Sequence, residues 1–389
     1  MKQAVIVSAV RTPVAKLGGA LSEYRAEKLA GMIIDECVSR SGIDPKLIDE
    51  VIFCNNINND VRMMSRNALL NSSLPIEIGT YDIHRGCASS LTAVWDAAMM
   101  IKADYADVVL CGGVESVSFG PYLMNKQSRA YSPVNPTFCK DVYSPEDKWG
   151  NLGNGETAEE IARLFSITRE ECDCFAYESH KKAAAAYADH RFDSQLMPIE
   201  VHKKHNTYVF NKDETVRSDI SMESLAKLTP SFTNNGVCTA GNSSPLTDGA
   251  SCVMVCERSL AERLGLHIMA VIRDFADAGC NPRIMGEGPV HAVKKLLNKT
   301  KMSLDDMDLI ELNEAFASQS IHCIRQLAID PEKLNVNGGA IALGHPFAST
   351  GTILVTKILY ELERRQAHRG LVTFCVGGGL GAACIFERP

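Results

Sequence analysis

The chain repeats its own order of elements at an offset of roughly 260 residues, and that repetition limits the folds open to it. Residues 302–313 resemble residues 43–55: a capped short helix, a strand and a terminal Asn. Residues 344–350 fall where 84–90 fell, each stretch opening an apolar helix. The strand at 371–375, followed by Gly377, Gly378 and Gly379, answers the strand at 107–111, followed by Gly112 and Gly113. The strand at 270–273 answers the first strand, at 3–8. One match would be chance; four in the same order point to two related α/β halves. In open α/β sheets the loops at the carboxyl ends of strands build the site, so two packed halves would bring both loop sets to one cleft.

Within the first half strands and helices alternate in a βαβαβαβ order. That order predicts a mainly parallel sheet covered by helices on both faces. A helix over 27–41 places Leu29, Met32, Ile33 and Cys37 on one face, with Gly42 as its stop. Asp44 and Pro45 read as N-cap and first residue of a short helix before the strand at 50–54. Residues 81–103 carry a strand into a tight turn at Gly86. From Ala88 onward Leu91, Val94, Trp95, Ala98 and Met99 form an apolar helical stripe. Cys87 therefore stands where a strand hands over to a helix N-terminus, where free backbone N–H groups and the macrodipole favour a thiolate.

Between the halves, roughly residues 117–246 break the pattern and read as an inserted lobe. Two helices are expected to begin with capping boxes, Thr157 with Glu160 and Thr168 with Glu171, the second running through Phe175, Ser179, Ala183 and Tyr187. The basic cluster His202, Lys203, Lys204 and His205 reads as a solvated loop. The division expected is 1–117 plus 248–267 for the N-terminal half, 118–247 for the insert, and 268–389 for the C-terminal half.

Composition excludes several classes. Among 389 residues, 46% are hydrophobic and 22% charged, ordinary for a globular chain. No apolar run approaches the roughly 18 residues that span a bilayer, so no membrane segment is expected. The first residues go straight into a strand and the last carry no retention signal, which predicts a cytoplasmic protein. In that compartment the 14 cysteines are expected as thiols. No C-x-x-C pair occurs, Cys172 and Cys174 point apart on a helix, and Cys252 and Cys256 read as core, so no metal site is expected. A net charge of −7 argues against nucleic acid.

Four sites then stand at equivalent strand ends: Cys87, Asn313, His345 and Cys375. Each has a bland reading as cap, turn or core. Together they supply a nucleophile, a base, a second thiol to move a proton, and an Asn with glycine N–H groups to hold an oxyanion.

The ordered motifs make the resemblance specific. They are Val7 to Pro13 (VSAVRTP), Cys87 before its helix, Cys111 to Ser116 (CGGVES), and Thr239 to Ser244 (TAGNSS). Asp248-Gly249-Ala250, Asn313 to Ala317 (NEAFA), Gly338 to Pro346 (GGAIALGHP) and Cys375 to Gly379 (CVGGG) follow. The whole chain resembles a thiolase. The resemblance implies a duplicated five-layer α/β/α/β/α fold with an inserted loop domain that holds coenzyme A. Carried onto this sequence, Cys87 is the acylated nucleophile, His345 activates it, and Cys375 exchanges the substrate α-proton. Asn313 positions a water that binds the thioester oxygen with His345, and the N–H groups of Cys87 and Gly377 form a second oxyanion hole. Coenzyme A contacts fall on Arg217, Ser224, Ala240 and Ser244, with Met285, Ala315 and Phe316 near the thioester.

The resemblance further implies acetyl-CoA, acetoacetyl-CoA and coenzyme A as substrates, with no separate cofactor, and a homodimer or homotetramer. The reaction expected is reversible condensation of two acetyl-CoA. The alternative is a 3-ketoacyl-CoA thiolase for longer chains; an inactive coenzyme A-binding scaffold fits the intact site less well. A condensing enzyme using acyl-carrier protein would carry a His where Asn313 stands. Departures from the family pattern are Ser90, Ala348 with Ser349, and Asn154, where a Met is often found; together they leave the acyl pocket, and with it the chain-length preference, open.

Overall fold

The computed structural model describes residues 2–127, 129, 131, 134–203 and 206–389. The first half comprises β1 (Ala4–Arg11), β2 (Ala15–Lys16), α1 (Ala26–Ser41), β3 (Glu50–Cys54), α2 (Met64–Leu70), β4 (Gly79–Asp82), α3 (Ser89–Lys102) and β5 (Val108–Glu115). The insert contributes α4 (Glu146–Trp149), α5 (Asn154–Leu164), α6 (Arg169–Ala188), β6 (Ile199–Lys203), β7 (Asn206–Phe210) and α7 (Met222–Ala226). Then come β8 (Thr247–Glu257), α8 (Arg258–Leu264), β9 (Ala270–Gly279), α9 (Gly288–Thr300), β10 (Leu309–Leu312) and α10 (Ala317–Leu327). Last are α11 (Ala340–Leu343), α12 (Thr350–Arg365), β11 (Arg369–Val376) and β12 (Leu380–Glu387).

The strands run in the order β4-β3-β5-β8-β1 in the first half and β9-β12-β11-β10 in the second. The halves join where β1 meets β9, with Val5 opposite Val271 and Ile6 opposite Ala270. The expected mainly parallel sheet is corrected to a mixed one. Only β3–β4, β3–β5 and β10–β11 pair in parallel, and the other five neighbours are antiparallel. The reason is connectivity. Parallel neighbours need a crossover, which α2, α3 and α12 supply, whereas β12 follows β11 through a glycine turn and has to return antiparallel. β8 re-enters from the insert between β1 and β5, antiparallel to both.

Apolar patterning explains the layers. Leu91, Val94 and Ala98 of α3 pack with Leu354, Val355 and Ile358 of α12 against the inner faces of both halves. Leu29, Ile33 and Cys37 of α1 cover the outer face of the first half. Val290, Val293 and Leu296 of α9 cover the second. Helix, sheet, paired helices, sheet and helix make the α/β/α/β/α fold. Each of the Val, Leu and Ile side chains contributes roughly 1.5–3 kcal/mol when fully buried. Two expected stripe members sit at the rim instead: Met99 is 47% exposed and Met32 36%. Where α3 crosses α12 the backbones nearly touch, and a Cβ on Gly351 would lie 2.3 Å from the Leu91 nitrogen.

The insert is fastened by buried polar groups. Arg11 of β1 donates to both carboxylate oxygens of Asp213, at 2.8 and 3.1 Å, and to Gln195 Oε1 at 2.8 Å. Tyr187 of α6 donates to the same carboxylate at 2.7 Å. Ser179 of α6 donates to Glu314 at 2.6 Å, reaching the second half. The capping box at Thr168 and Glu171 forms as expected. The one expected at Thr157 does not. The helix starts a turn earlier, capped at Gly153, whose N–H donates to Glu156 Oε2 at 2.7 Å, while the Thr157 hydroxyl donates back to the Asn154 carbonyl. Of the basic cluster, His202 and Lys203 belong to β6, a hairpin strand rather than a loop; Lys204 and His205 lie outside the described residues.

Candidate active site

Cys87 is placed by a short turn that few sequences permit. Gly86 before it has φ +51°, and a Cβ there would come within 2.9 Å of Val376. The Ser89 hydroxyl closes the turn, donating to the Gly86 carbonyl at 2.6 Å and accepting from the Arg85 N–H at 2.8 Å. α3 starts at Ser89, so the half-buried thiol sits just ahead of the helix.

His345 arrives from the other half of the chain. It follows Gly344, at φ +93°, and precedes the turn that opens α12. Its Nε2 lies 3.2 Å from Cys87 Sγ and its Nδ1 lies 2.6 Å from the Thr350 hydroxyl. Asn313, just past β10, brings its Nδ2 to 3.4 Å from the same Nε2. Two donors converge on Nε2, which fits a ring carrying its proton on Nδ1, toward Thr350, with the Nε2 lone pair facing the thiol. The Asn313 Oδ1 is buried without a partner among the described residues.

Electrostatics keep this pair neutral at rest. Burial pushes the Cys87 thiol up to about 12, outweighing the backbone N–H groups of Cys87 and Gly377 that lower it. Burial thus works against the thiolate that the position of Cys87 ahead of a helix favours. Desolvation outweighs the helix N-terminus because α3 begins only beyond the cysteine. Burial holds His345 down, to about 4, so it is a neutral base at ordinary pH. Cys375 of β11 is buried and its thiol is raised well above the ordinary range, by burial first and then by the Cys87 sulfur. Glu115, at the end of β5, accepts from the N–H groups of Asn56 and Ala348 at 2.9 and 3.1 Å, tying the turn after His345 to the first half. Burial pushes its carboxyl up to about 8.

These groups meet in a cavity of about 510 Å³ whose lining includes Cys87, His345, Cys375 and Gly377. Met285, Ala315 and Phe316 line it too, together with Ser244. Asn313 is fully buried behind His345. Arg217 and Ala240 line a smaller cavity of about 210 Å³ with Lys16 and His180; Ser243 belongs to both cavities. Ser224 lines neither. It is spent on capping α7, accepting and donating hydrogen bonds with Ser221.

Three of the four residues that depart from the family pattern lie away from the cavities at Cys87. Ser90 accepts from the Thr352 N–H at 3.1 Å in the α3–α12 contact. Ser349 meets Ser251 at 2.8 Å, and Ala348 packs over Gly113. None lines a cavity at Cys87. Asn154 does. Sequence reasoning missed Thr350 and Tyr143. Thr350, five residues after His345 at the start of an apolar helix, was legible as a ring partner; Tyr143 lies in an irregular segment with no periodicity to place it.

Among the described residues no group of three or more His, Cys, Asp or Glu is disposed to hold a metal ion, and no helix is long and apolar enough to cross a membrane.

A thiol, an imidazole and a second thiol converge at the joint of a duplicated α/β chain, an arrangement chemically suited to acyl transfer through a cysteine. Comparison with known proteins specifies it. Residues 4–259 match the model of the thiolase N-terminal domain and residues 266–388 that of the thiolase C-terminal domain. The chain is 39% identical to an acetyl-CoA acetyltransferase of Syntrophomonas wolfei, covering 99% of each chain. It is 40% identical to a 3-ketoacyl-CoA thiolase of Bacillus subtilis, covering 100% of each. The crystal structure of the Bacillus anthracis acetyl-CoA acetyltransferase superposes with a TM-score of 0.94 at 37% identity, over 100% of this chain and 99% of that one. The chain belongs to the thiolase family, and it is an acyltransferase acting on coenzyme A thioesters.

Proposed function

We propose that the protein catalyses the reversible Claisen condensation of two acetyl-CoA into acetoacetyl-CoA and coenzyme A, through an acyl-Cys87 intermediate. The observation that carries this is the 3.2 Å contact between Cys87 Sγ and His345 Nε2. As the sulfur attacks the thioester carbonyl, His345 takes its proton; the carbon–sulfur bond to coenzyme A breaks and the acetyl group stays on Cys87. The departing thiolate is protonated by Cys375, which then, as thiolate, removes an α-proton from the second acetyl-CoA. The carbanion attacks the acetyl carbonyl, the bond to Cys87 breaks, and His345 returns its proton to that sulfur.

The N–H groups of Cys87 and Gly377 hold the acyl-enzyme oxygen. Asn313, with its unpartnered Oδ1, positions a water that joins His345 at the thioester oxygen of the incoming substrate. Arg217 and Ala240 hold the distal part of coenzyme A. A homodimer or homotetramer in the cytoplasm completes the reading. Strand β4, exposed at the edge of the sheet, suits pairing with a second copy.

A second reading, thiolysis of longer 3-ketoacyl-CoAs, is favoured by a second cavity of about 560 Å³ that also touches Cys87. Steady-state thiolysis of acetoacetyl-CoA at varied coenzyme A should give parallel double-reciprocal lines, the ping-pong signature. Intersecting lines would refute a covalent intermediate.

A further inference from the structure

Cys87 lies on a wall between two cavities. The second shares Cys87, Tyr143, Asn154, Phe347 and Gly377 with the first, and its remaining lining differs. In the proposed reaction coenzyme A enters from the side of Ser244 and Phe316, so the far cavity is where an acyl chain longer than acetyl extends from the sulfur. At about 560 Å³ it has the size of a ligand site, far more than a methyl group occupies.

Its polar side chains are unspent. Asn154 stands at the first residue of α5, with its Oδ1 3.1 Å from where a Cβ on Gly377 would lie. Among the described residues no hydrogen bond engages either amide atom of Asn154 or the hydroxyl of Tyr143. Burial raises the Tyr143 hydroxyl above its ordinary range, so it remains a donor. Asn56, on the same lining, has an Oδ1 that is buried and unpartnered. Arg85 spends one nitrogen on Asp277 at 3.0 Å and has further N–H groups. Asp141 and His84 complete the polar lining. Buried polar groups are ordinarily paired, so the Asn56 Oδ1, buried and unpaired on a wall that also presents the half-buried Asn154 amide and the more exposed Tyr143 hydroxyl, points to a ligand with polar atoms of its own. A hydrocarbon chain would leave the Asn56 Oδ1 unpaired and cut Asn154 and Tyr143 off from water, a cost a chain with an oxygen function avoids.

We propose that this cavity is an acyl-chain pocket for 3-oxoacyl groups bearing a hydrogen-bonding oxygen function, and that Asn154 is the residue that selects them. The inference rests on the acyl-Cys87 reading. Asn154 also stands where the family pattern often has Met, which would line the same wall with an apolar side chain.

The test compares thiolysis of three six-carbon substrates: 3-oxohexanoyl-CoA, its 6-hydroxy analogue and 3-oxohexanedioyl-CoA. The ratio of kcat/KM for a polar-ended to the methyl-ended chain is the readout, so any general loss of folded enzyme cancels. At least one polar-ended substrate should be favoured about tenfold or more, since a site built to hydrogen-bond a group rejects the analogue lacking it. Asn154→Met should bring that ratio down about tenfold, whereas Leu380→Met, on the same lining but apolar, should leave it in place. A wild-type preference for the methyl end, or a ratio unmoved by Asn154→Met, would overturn the proposal. Absence of thiolysis with all three, together with no acetyl adduct on Cys87 from acetyl-CoA, would instead overturn the acyl-cysteine reading beneath it.

Discussion

Replacing His345 by Ala isolates what the imidazole does for the thiol. With the thiol held at about 12, the thiolate fraction at pH 7 is ~10⁻⁵, a cost of about 7 kcal/mol. His345, itself held at about 4, lowers the barrier by taking the proton as the sulfur attacks rather than by forming a resting ion pair. At 3.2 Å the resulting thiolate–imidazolium attraction is about 5 kcal/mol at an effective dielectric constant of ~20. In the variant the proton has to leave to solvent. Water admitted to the space of the ring would let the thiol relax toward its ordinary value of 9.0, where the thiolate fraction is ~10⁻². Loss of a positioned general base is worth roughly 10²–10⁴, so acylation should slow by about that much at pH 7, and its logarithm should rise with slope one as pH increases toward 9. Because burial holds His345 at about 4, the wild type should instead be flat over that range and fall only as pH approaches 4. The assay is single-turnover release of coenzyme A from acetyl-CoA, followed by rapid mixing from pH 5 to 9. A variant within tenfold of wild type, or one with a flat profile, would refute the role of His345 as base.

Cys375→Ser should still be acylated by acetyl-CoA but should lose exchange of the acetyl α-protons with deuterated solvent. Exchange at the wild-type rate would remove Cys375 from the proton path. Gly351→Val should destabilise the fold by about 1–3 kcal/mol in urea unfolding, because its Cβ would collide with the Leu91 nitrogen at 2.3 Å and the Ser90 hydroxyl at 2.6 Å. An unchanged midpoint would show that the α3–α12 contact yields more readily than its geometry implies.

The duplication was legible because it is written in periodicity and turn chemistry, which act locally. The strand Glu50–Cys54, the cap at Asp44 and the stop at Gly42 form where local rules put them. Strand direction was not legible: nothing within 247–257 says which neighbours that segment joins, and β8 is set antiparallel by its return from the insert. The Thr157 cap failed because Glu156 offered a competing partner to Gly153 one turn earlier. At the site, the residue types that do chemistry were readable from their places at strand ends, and the fold brings Cys87, His345, Asn313 and Cys375 together. The charge state of Cys87 was not, because desolvation depends on what packs around the sulfur. Nor was the pocket. Ser90 differs from the family pattern yet faces α12, while Tyr143 matched no motif and lines both cavities.

The proposed reaction requires Cys87 to carry the acyl group. Brief incubation with acetyl-CoA, acid quench and peptide mapping by mass spectrometry should find one acetyl group per chain, on Cys87, discharged by added coenzyme A and absent from Cys87→Ser. An acetyl group on another residue, or none on a preparation that cleaves acetoacetyl-CoA, would contradict it.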